Sequence, residues 1–507
     1  MPSSKPIQAR SPSVRQTFQM TARERFWIHS IECYFWRVTT SSTIEPTAWT
    51  RDLLASLGRA DTSNQQTLQI VGRDPVIATR FRAGEAAAAV LAANATAAAD
   101  LWCARGGPSQ DIEVDVRAAA ASLVSFAYLR YQNASFERRG QATTALYRAR
   151  DGRWIHLHGG FSSREGTLAL LKCDDDANAI ATSVAEWDAQ ALEDALAERG
   201  VCGAKLRSAD EWRAHPQGIA LARVPLVEII RLGDARPEPI PGPRADEYGA
   251  RPLSGVRVLD LTRVLAGPTC ARTLAEHGAE VLHVRSPKLP SIEPFVIDTN
   301  PGKRSCFLDL DREQDAEQLR ALVRDAHVFS QGYRPGALAR RGFAPEELAQ
   351  MRPGIIAVSI DCYGHEGPYA GRPGWEQLAQ TVTGMALEHA GDEHPALVPA
   401  AINDYTTGYL GALGVMRALA RRTTEGGSWH VRVSLARTSM WIMSLPRTDP
   451  DARPGGFDAA SIAPWIIEMD TAWGPLTRLG PIARMSETPP QWALPPAPLG
   501  SDPPSWG

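Results

Sequence analysis

The chain reads as an α/β protein: a doubly wound, mostly parallel sheet in its second half, with a smaller α+β domain before it. Three observations predict this. Val256-Arg257-Val258-Leu259-Asp260-Leu261 is a short apolar, β-rich run, and Glu280-Val281-Leu282-His283-Val284 is a second. Between them lie a turn through Ala266-Gly267-Pro268 and a helical stretch closed by His277-Gly278. Strand, glycine-stopped helix and strand make a βαβ unit. Parallel strands need such a crossover and are buried on both faces, so they read as continuously apolar. Third, apolar runs at 305–310, 326–330 and 355–360 continue the series, with helical stretches at about 312–325 and 345–351. In such a Rossmann-like sheet, ligands lie beyond the carboxyl ends of the strands. Gly267 is the only glycine in the first strand-to-helix turn, so the G-x-G-x-x-G fingerprint of a dinucleotide site is missing.

Composition narrows the function classes. With 507 residues the chain has room for two or three domains, and a net charge of −3 gives no bulk field for nucleic acid or a membrane surface. Seven cysteines (33, 103, 173, 202, 270, 306 and 362) are dispersed, without a C-x-x-C pair. That usage fits a reducing, cytoplasmic setting and supplies no metal framework. No apolar run stands out as a bilayer span.

Residues 1–45 read as an irregular extension, rich in arginine and carrying Trp27, Tyr34, Phe35 and Trp36. Residues 46–235 follow as a partial first copy of a unit that recurs later. In it, helices over 49–58 and 83–105, a stop at Gly106-Gly107-Pro108, a strand at Ile112–Val116 and a helix at 118–131 are expected. The later counterpart is a helix at 408–422, a stop at Gly426-Gly427, a strand at 430–435 and a further helix, with Val114-Asp115 falling on Val433-Ser434. Between the two, Asp151-Gly152-Arg153 turns into Trp154-Ile155-His156-Leu157-His158, and helices at 165–172, 178–184 and 189–199 make a small α+β domain. A strand near 226–232 is expected to close it. His156 and His158 share a strand face, but no acidic or cysteine partner sits near them for a metal. Residues 236–251 hold four prolines and read as a linker, 252–445 as the Rossmann-like domain, and 446–507 as a tail rich in proline and tryptophan that packs extended across it.

The chemistry-bearing groups collect around the strand ends of the second half. Gly302-Lys303-Arg304-Ser305, Tyr333-Arg334-Pro335-Gly336 and Tyr363-Gly364-His365-Glu366-Gly367-Pro368 offer Lys303, Arg304 and Arg334 to phosphate oxygens. Asn403-Asp404 opens a helix, where aspartate is a preferred cap.

Taken in order, Pro252–Leu261, Ala266-Gly267-Pro268, Gly302–Ser305, Tyr333–Gly336, Tyr363–Pro368 and Asn403-Asp404 resemble family III CoA-transferases, which include formyl-CoA and carnitine CoA-transferases and α-methylacyl-CoA racemases. The resemblance runs from Pro252 to about Leu435. The stretch from Asp151 to Leu232, with His215-Pro216-Gln217, looks like that family's small domain, placed before the large one. The resemblance implies Asp404 as a nucleophile that attacks an acyl-CoA thioester to give a mixed anhydride. Helix-start N–H groups would steady the oxyanion. Coenzyme A would be held by Val264, Ala266, Arg285, Lys303, Arg304, Tyr333, Arg334, Tyr363, Gly364 and His365. It further implies acyl-CoA and a carboxylic acid as substrates, no permanently bound cofactor, and a homodimer, with a monomer as the alternative that the duplication leaves open. Counting back from Gly84 as Asp404 precedes Gly408 reaches Arg80, so one catalytic carboxylate per chain is expected.

Three departures shape the reading. Leu265 stands where formyl-CoA transferases carry glutamine, the region around Arg139-Gly140 has one glycine instead of a run, and Trp375 stands where the racemases place a histidine. These disfavour oxalate or formate as substrates and α-proton exchange as the reaction. An acyl-CoA racemase or isomerase, and a non-catalytic CoA-binding protein, remain the alternatives.

Overall fold

The computed structural model describes residues 45–59, 67–131, 134–135, 141–161, 163–242, 249–449, 451–457 and 459–507, and residues 46–507 form one compact unit. The aromatic cluster of the N-terminal extension and the Arg139-Gly140 region lie outside the described residues.

The central sheet has seven strands: β1 (Glu228–Arg231), β2 (Arg257–Leu261), β3 (Glu280–Arg285), β4 (Lys303–Phe307), β5 (Val328–Gln331), β6 (Ile356–Asp361) and β7 (Trp429–Ser434). Their order is β4-β3-β2-β5-β6-β7-β1, parallel except for β1, which runs antiparallel to β7. The order reverses at β2, between β3 and β5, which is the switch point where an open sheet of this kind offers a crevice. β1 was expected to close the small domain. Instead it caps the large sheet, with Trp429 opposite Arg231 and Arg432 opposite Glu228.

One face of the sheet carries helices α2 (Ala266–Glu276) and α4 (Ile402–Glu425), with α1 (Ala83–Ala104) packed on α4 and with α3 (Glu376–Thr383) and α5 (Leu435–Ser444) beside them. Alanine has the highest helix propensity, and it also lets backbones approach closely. Accordingly α1 is buried along nearly its whole length against α4, and the Asn94 amide donates to the Tyr409 carbonyl at 3.0 Å. By length and composition α1 is long and apolar enough to cross a membrane, which corrects the expectation that no apolar run has the length; in this fold it is a buried core helix. The helix expected over 118–131 stops at Ser122, because the Leu123 carbonyl turns to accept the Ala401 N–H at 3.1 Å.

The small domain is an antiparallel sheet (144–148, 154–158 and 203–205) with helices at 163–171, 177–184 and 189–198. Its His215-Pro216-Gln217 motif clamps the large domain. The Gln217 amide donates to the Tyr363 and Glu366 carbonyls, each at 2.7 Å, and its oxygen accepts from the Tyr369 N–H at 2.7 Å. The tail is more than an extended strap. Ile466–Thr471 and Gly474–Leu479 form a hairpin that pairs with Arg130-Tyr131. Beyond it, Trp492 donates to the Arg272 carbonyl and Trp506 to the Leu322 carbonyl.

Two expected CoA contacts have other duties. Lys303 is fully buried at the amino end of β4 and donates to Asp260 Oδ2 and to the Pro268 carbonyl, each at 2.8 Å. Its charge is spent inside the sheet, away from the ligand edge. Arg304 lies at the same end, hydrogen-bonded to the Ser505 carbonyl of the tail and 3.6 Å from Glu280. Lys303→Met, which strands the buried Asp260 carboxylate, should destabilise the protein by about 3–5 kcal/mol. Chemical unfolding midpoints check this; a phosphate-binding role would instead leave the midpoint in place and weaken CoA binding.

Candidate functional site

The loop after β2 turns sharply. Val264 adopts φ 69°, a left-handed conformation that a β-branched residue rarely tolerates, and α2 begins two residues later at Ala266. Such strain needs surroundings that over-determine it, and it lies at the switch point. Helix α4 presses against this turn: a Cβ on Gly408 would sit 2.5 Å from the Ala266 carbonyl oxygen, so only glycine permits the approach. Asp404 stands one turn before Gly408 on the same face, and helical side chains lean towards the N-terminus. The nucleophile expected from sequence thus lies one helical turn from the residue that packs on Ala266.

Asp404 is the third residue of α4, and Ala401 is the N-cap. Its carboxylate lacks hydrogen-bond donors among the described residues and is nearly buried, at 8 % exposure. The donors that a helix start would offer are spent elsewhere. The Glu376 carboxylate, at the head of α3, accepts the Asp404 N–H at 2.8 Å, the Asn403 amide at 3.1 Å and the Gln380 amide at 2.7 Å. The Tyr405 N–H is taken by the Ala401 carbonyl. The helix-start oxyanion role expected for these groups is therefore already filled by Glu376. Burial pushes Glu376 up to about 7 against those three hydrogen bonds. Burial, and then the Glu376 charge, push Asp404 well above the usual carboxylate range. Sequence analysis did not single out Glu376, because no spacing rule joins residues 28 apart. The available signal was its place just after the tryptophan at the head of α3.

The β2 and β3 ends supply cations. Arg285 is 3 % exposed and makes a long 3.5 Å hydrogen bond to the Thr262 carbonyl; its Nε and Nη2 have no hydrogen-bond partner among the described residues. Arg263 Nη2 donates to the Pro290 carbonyl at 2.6 Å while its Nε is buried without a partner among the described residues; neutral His283 donates from Nε2 to the Thr262 carbonyl at 3.1 Å, which leaves its Nδ1 an acceptor. These three side chains line one cleft with Phe161, Val264 and Pro268. Burial lowers Arg263 and Arg285, and Arg285 lowers Arg263 further; burial takes His283 to about 4. Buried donors are costly to leave unmade, so this cleft is suited to an anion with several oxygens.

The remaining expected contacts divide. Tyr333, Arg334 and His365 line a second cavity of about 150 Å³ beyond β5 and β6, where His365 Nδ1 lies 3.1 Å from Asp361. The Arg334 guanidinium also reaches the Gly200 carbonyl of the small domain at 2.9 Å. Tyr363 is buried edge-on against Tyr369, and a Cβ on Gly364 would meet Leu221 at 2.5 Å. Tyr363 and Gly364 therefore pack the domain junction and do not face the cleft. Trp375, in the racemase histidine position, lies against His158 and Phe161 of the small domain, with ring centroids 5.6 and 5.4 Å away. His156 is bonded to Thr381.

Comparison with known proteins fits this geometry. Residues 253–456 match CoA-transferase family III. An acyl-CoA transferase of Gibberella moniliformis is 32 % identical over 414 residues, covering 70 % of this chain and 72 % of that protein. The chain belongs to CoA-transferase family III. The acetyl-coenzyme A transferase nodX of Hypoxylon pulicicidum is 36 % identical over 334 residues, 61 % of this chain and 56 % of its own length. A formyl-CoA:oxalate CoA-transferase of Rhodopseudomonas palustris is 35 % identical over 196 residues, 36 % of this chain and 46 % of its own length. The chain thus spans about half the length of these last two relatives.

As a family member with a carboxylate pair at α4, the protein should show a distinctive pH dependence. The Asp404 carboxyl is raised, so any step that uses it as a carboxylate should speed up as pH climbs. Glu376→Gln removes the neighbouring negative charge, lowers the Asp404 pKa and should move the acid limb of kcat/KM to lower pH. A limb that stays in place would show that Glu376 does not set it.

Proposed function

We propose that the protein moves coenzyme A between an acyl-CoA thioester and a free carboxylic acid, with Asp404 as nucleophile. The observation that carries this reading is an acceptor-only carboxylate, nearly buried and without hydrogen-bond donors among the described residues, at the head of the helix whose Gly408 packs on the turn after β2. A carboxylate stripped of hydrogen bonds is a stronger base and a stronger nucleophile than one in water.

The steps balance without a cofactor. An Asp404 oxygen bonds to the thioester carbonyl carbon, the C–S bond breaks, and CoA leaves as thiolate. The thiolate adds to the Asp404 carbonyl carbon of the mixed anhydride and releases the donor acid, leaving an aspartyl thioester. The acceptor carboxylate repeats the exchange in reverse: it forms a second anhydride by expelling thiolate, which then takes the acceptor's acyl carbon and frees Asp404. Arg285 and Arg263 would hold the phosphate end of CoA, and Tyr333, Arg334 and His365 would border its path along the strand ends.

A racemase or isomerase is the competing reading, and one observation favours it: His158 places an imidazole against Trp375. It predicts exchange of the acyl-CoA α-hydrogen with deuterium oxide in the absence of any acceptor acid.

Incubation with a panel of acyl-CoAs, quenched with borohydride or hydroxylamine, should give a mass change on the Asp404 peptide that Asp404→Ala abolishes. Tight CoA binding with no adduct, together with α-deuterium incorporation, would overturn the transferase reading. Arg285→Ala should weaken CoA binding by about 10–100-fold, the loss expected for charge-assisted hydrogen bonds of about 1.5–3 kcal/mol. Titration calorimetry with CoA checks it.

A further inference from the structure

A second helix start in this chain repeats the arrangement around Asp404. Glu85 is the third residue of α1, as Asp404 is of α4. The numbering difference between Glu85 and Asp404 is the same as that between Val114 and Val433, and between Asp115 and Ser434. The Glu85 N–H donates to the Asp74 carboxylate at 2.8 Å, just as the Asp404 N–H donates to Glu376 at 2.8 Å. Asp74 and Glu376 are both pushed up to about 7, chiefly by burial. The two acceptors come from different places in the chain, eleven residues before Glu85 and 28 before Asp404, so the frame is kept while its parts differ. This also corrects the alignment that led from Gly84 to Arg80.

The strands agree. Each long helix is followed by a glycine pair and a strand, and each strand runs parallel to one preceding its helix. In one pair Val71 lies opposite Asp115, and in the other Asp361 lies opposite Ser434. Asp115 and Ser434 are the N-caps of the next helices, Val116–Ser122 and α5.

The two units also meet reciprocally. Ala401, leading into α4, donates to the Leu123 carbonyl just after helix Val116–Ser122. Leading into α1, the Arg80 carbonyl accepts from Thr448 and Phe81 bridges to Arg447, just after α5. Contact of each unit's lead-in with the other unit's exit is the mark of an isologous, two-fold interface. Helix α1 packs directly on α4.

One difference separates the copies. The N-cap of α4 is Ala401, which leaves Asp404 without a counter-charge; the N-cap of α1 is Arg82, whose Nη1 holds Glu85 at 3.0 Å. Glu85 is 1 % exposed. Among the described residues the first unit also lacks counterparts of β2 and β3, which carry Arg263 and Arg285.

We propose that residues 68–122 are a second nucleophile unit, docked on the first as a partner subunit would be, with Glu85 in Asp404's place and shut by Arg82. One chain is then a fused pair: a monomer with a single acylation site. The acylation part rests on the proposed function; the fused pair does not.

Light scattering on the full chain decides the second point without chemistry: the mass of one chain is expected, and a two-chain mass overturns it. For the first, acyl-CoA trapping of the wild-type protein should label the Asp404 peptide once per chain and leave the Glu85 peptide unlabelled; a Glu85 adduct overturns the shut site. If no peptide is labelled, the Asp404 reading fails while the mass still decides the fusion. A carbodiimide with a tagged amine should leave Glu85 untouched in the wild type and label it several-fold more in Arg82→Ala. Equal labelling of Glu85 in both overturns the role of Arg82.

Discussion

Four separate parts of the chain converge on one buried carboxylate, Asp298. Ser125 of the first unit donates to both of its oxygens at 2.8 Å, and Tyr405, the residue after Asp404, donates at 2.8 Å. Arg272 of α2 donates at 3.1 Å, and Arg478 of the tail hairpin lies at 3.6 Å while bonding the Asp298 backbone. Fully buried charge of this kind is tolerable only when every lone pair is used, and breaking one partner leaves the others stranded. Asp298 therefore ties the duplicated unit, the tail and the large domain to the start of α4. Arg478 and Asp298 are both fully buried, and burial lowers Arg478 to about 10 even with Asp298 beside it.

From that anchor the site follows. Tyr405 fixes the angle of α4, Glu376 consumes the N–H groups at its head, and Gly408 lets it touch the strained turn at Val264. Asp404 is what is left over: a carboxyl in a dry place with no donor and one like-charged neighbour. Its bare environment is thus an outcome of hydrogen bonds made by the groups around it.

Much of the architecture was legible because it depends on local pattern. Continuous apolar runs and glycine-stopped helices located β2, β3, β5, β6 and α2, and the Asn403-Asp404 start of α4 could be read directly. Where reading failed, a distant partner decided. Lys303 looks like a phosphate ligand until Asp260, 43 residues away, is seen to hold it. β1 looks like the end of the small domain until it pairs with β7. The Leu123 carbonyl ends a helix that propensity would continue. Glu376 and the Asp74–Glu85 pair were invisible for the same reason, since each is defined by a hydrogen bond across a fold and not by a spacing.

The account makes Asp404 a chemical participant whose own oxygen is exchanged. Each full turnover passes one Asp404 oxygen to the departing donor acid and receives one from the acceptor. The most direct test is turnover with an acceptor acid carrying oxygen-18 in both carboxylate positions, followed by mass spectrometry of the Asp404 peptide and of the released donor acid. Label in the Asp404 side chain, and after further turnovers in the donor acid, is the predicted result. Product formed with no label in either would mean that CoA passes between the acids without Asp404, and would contradict the account.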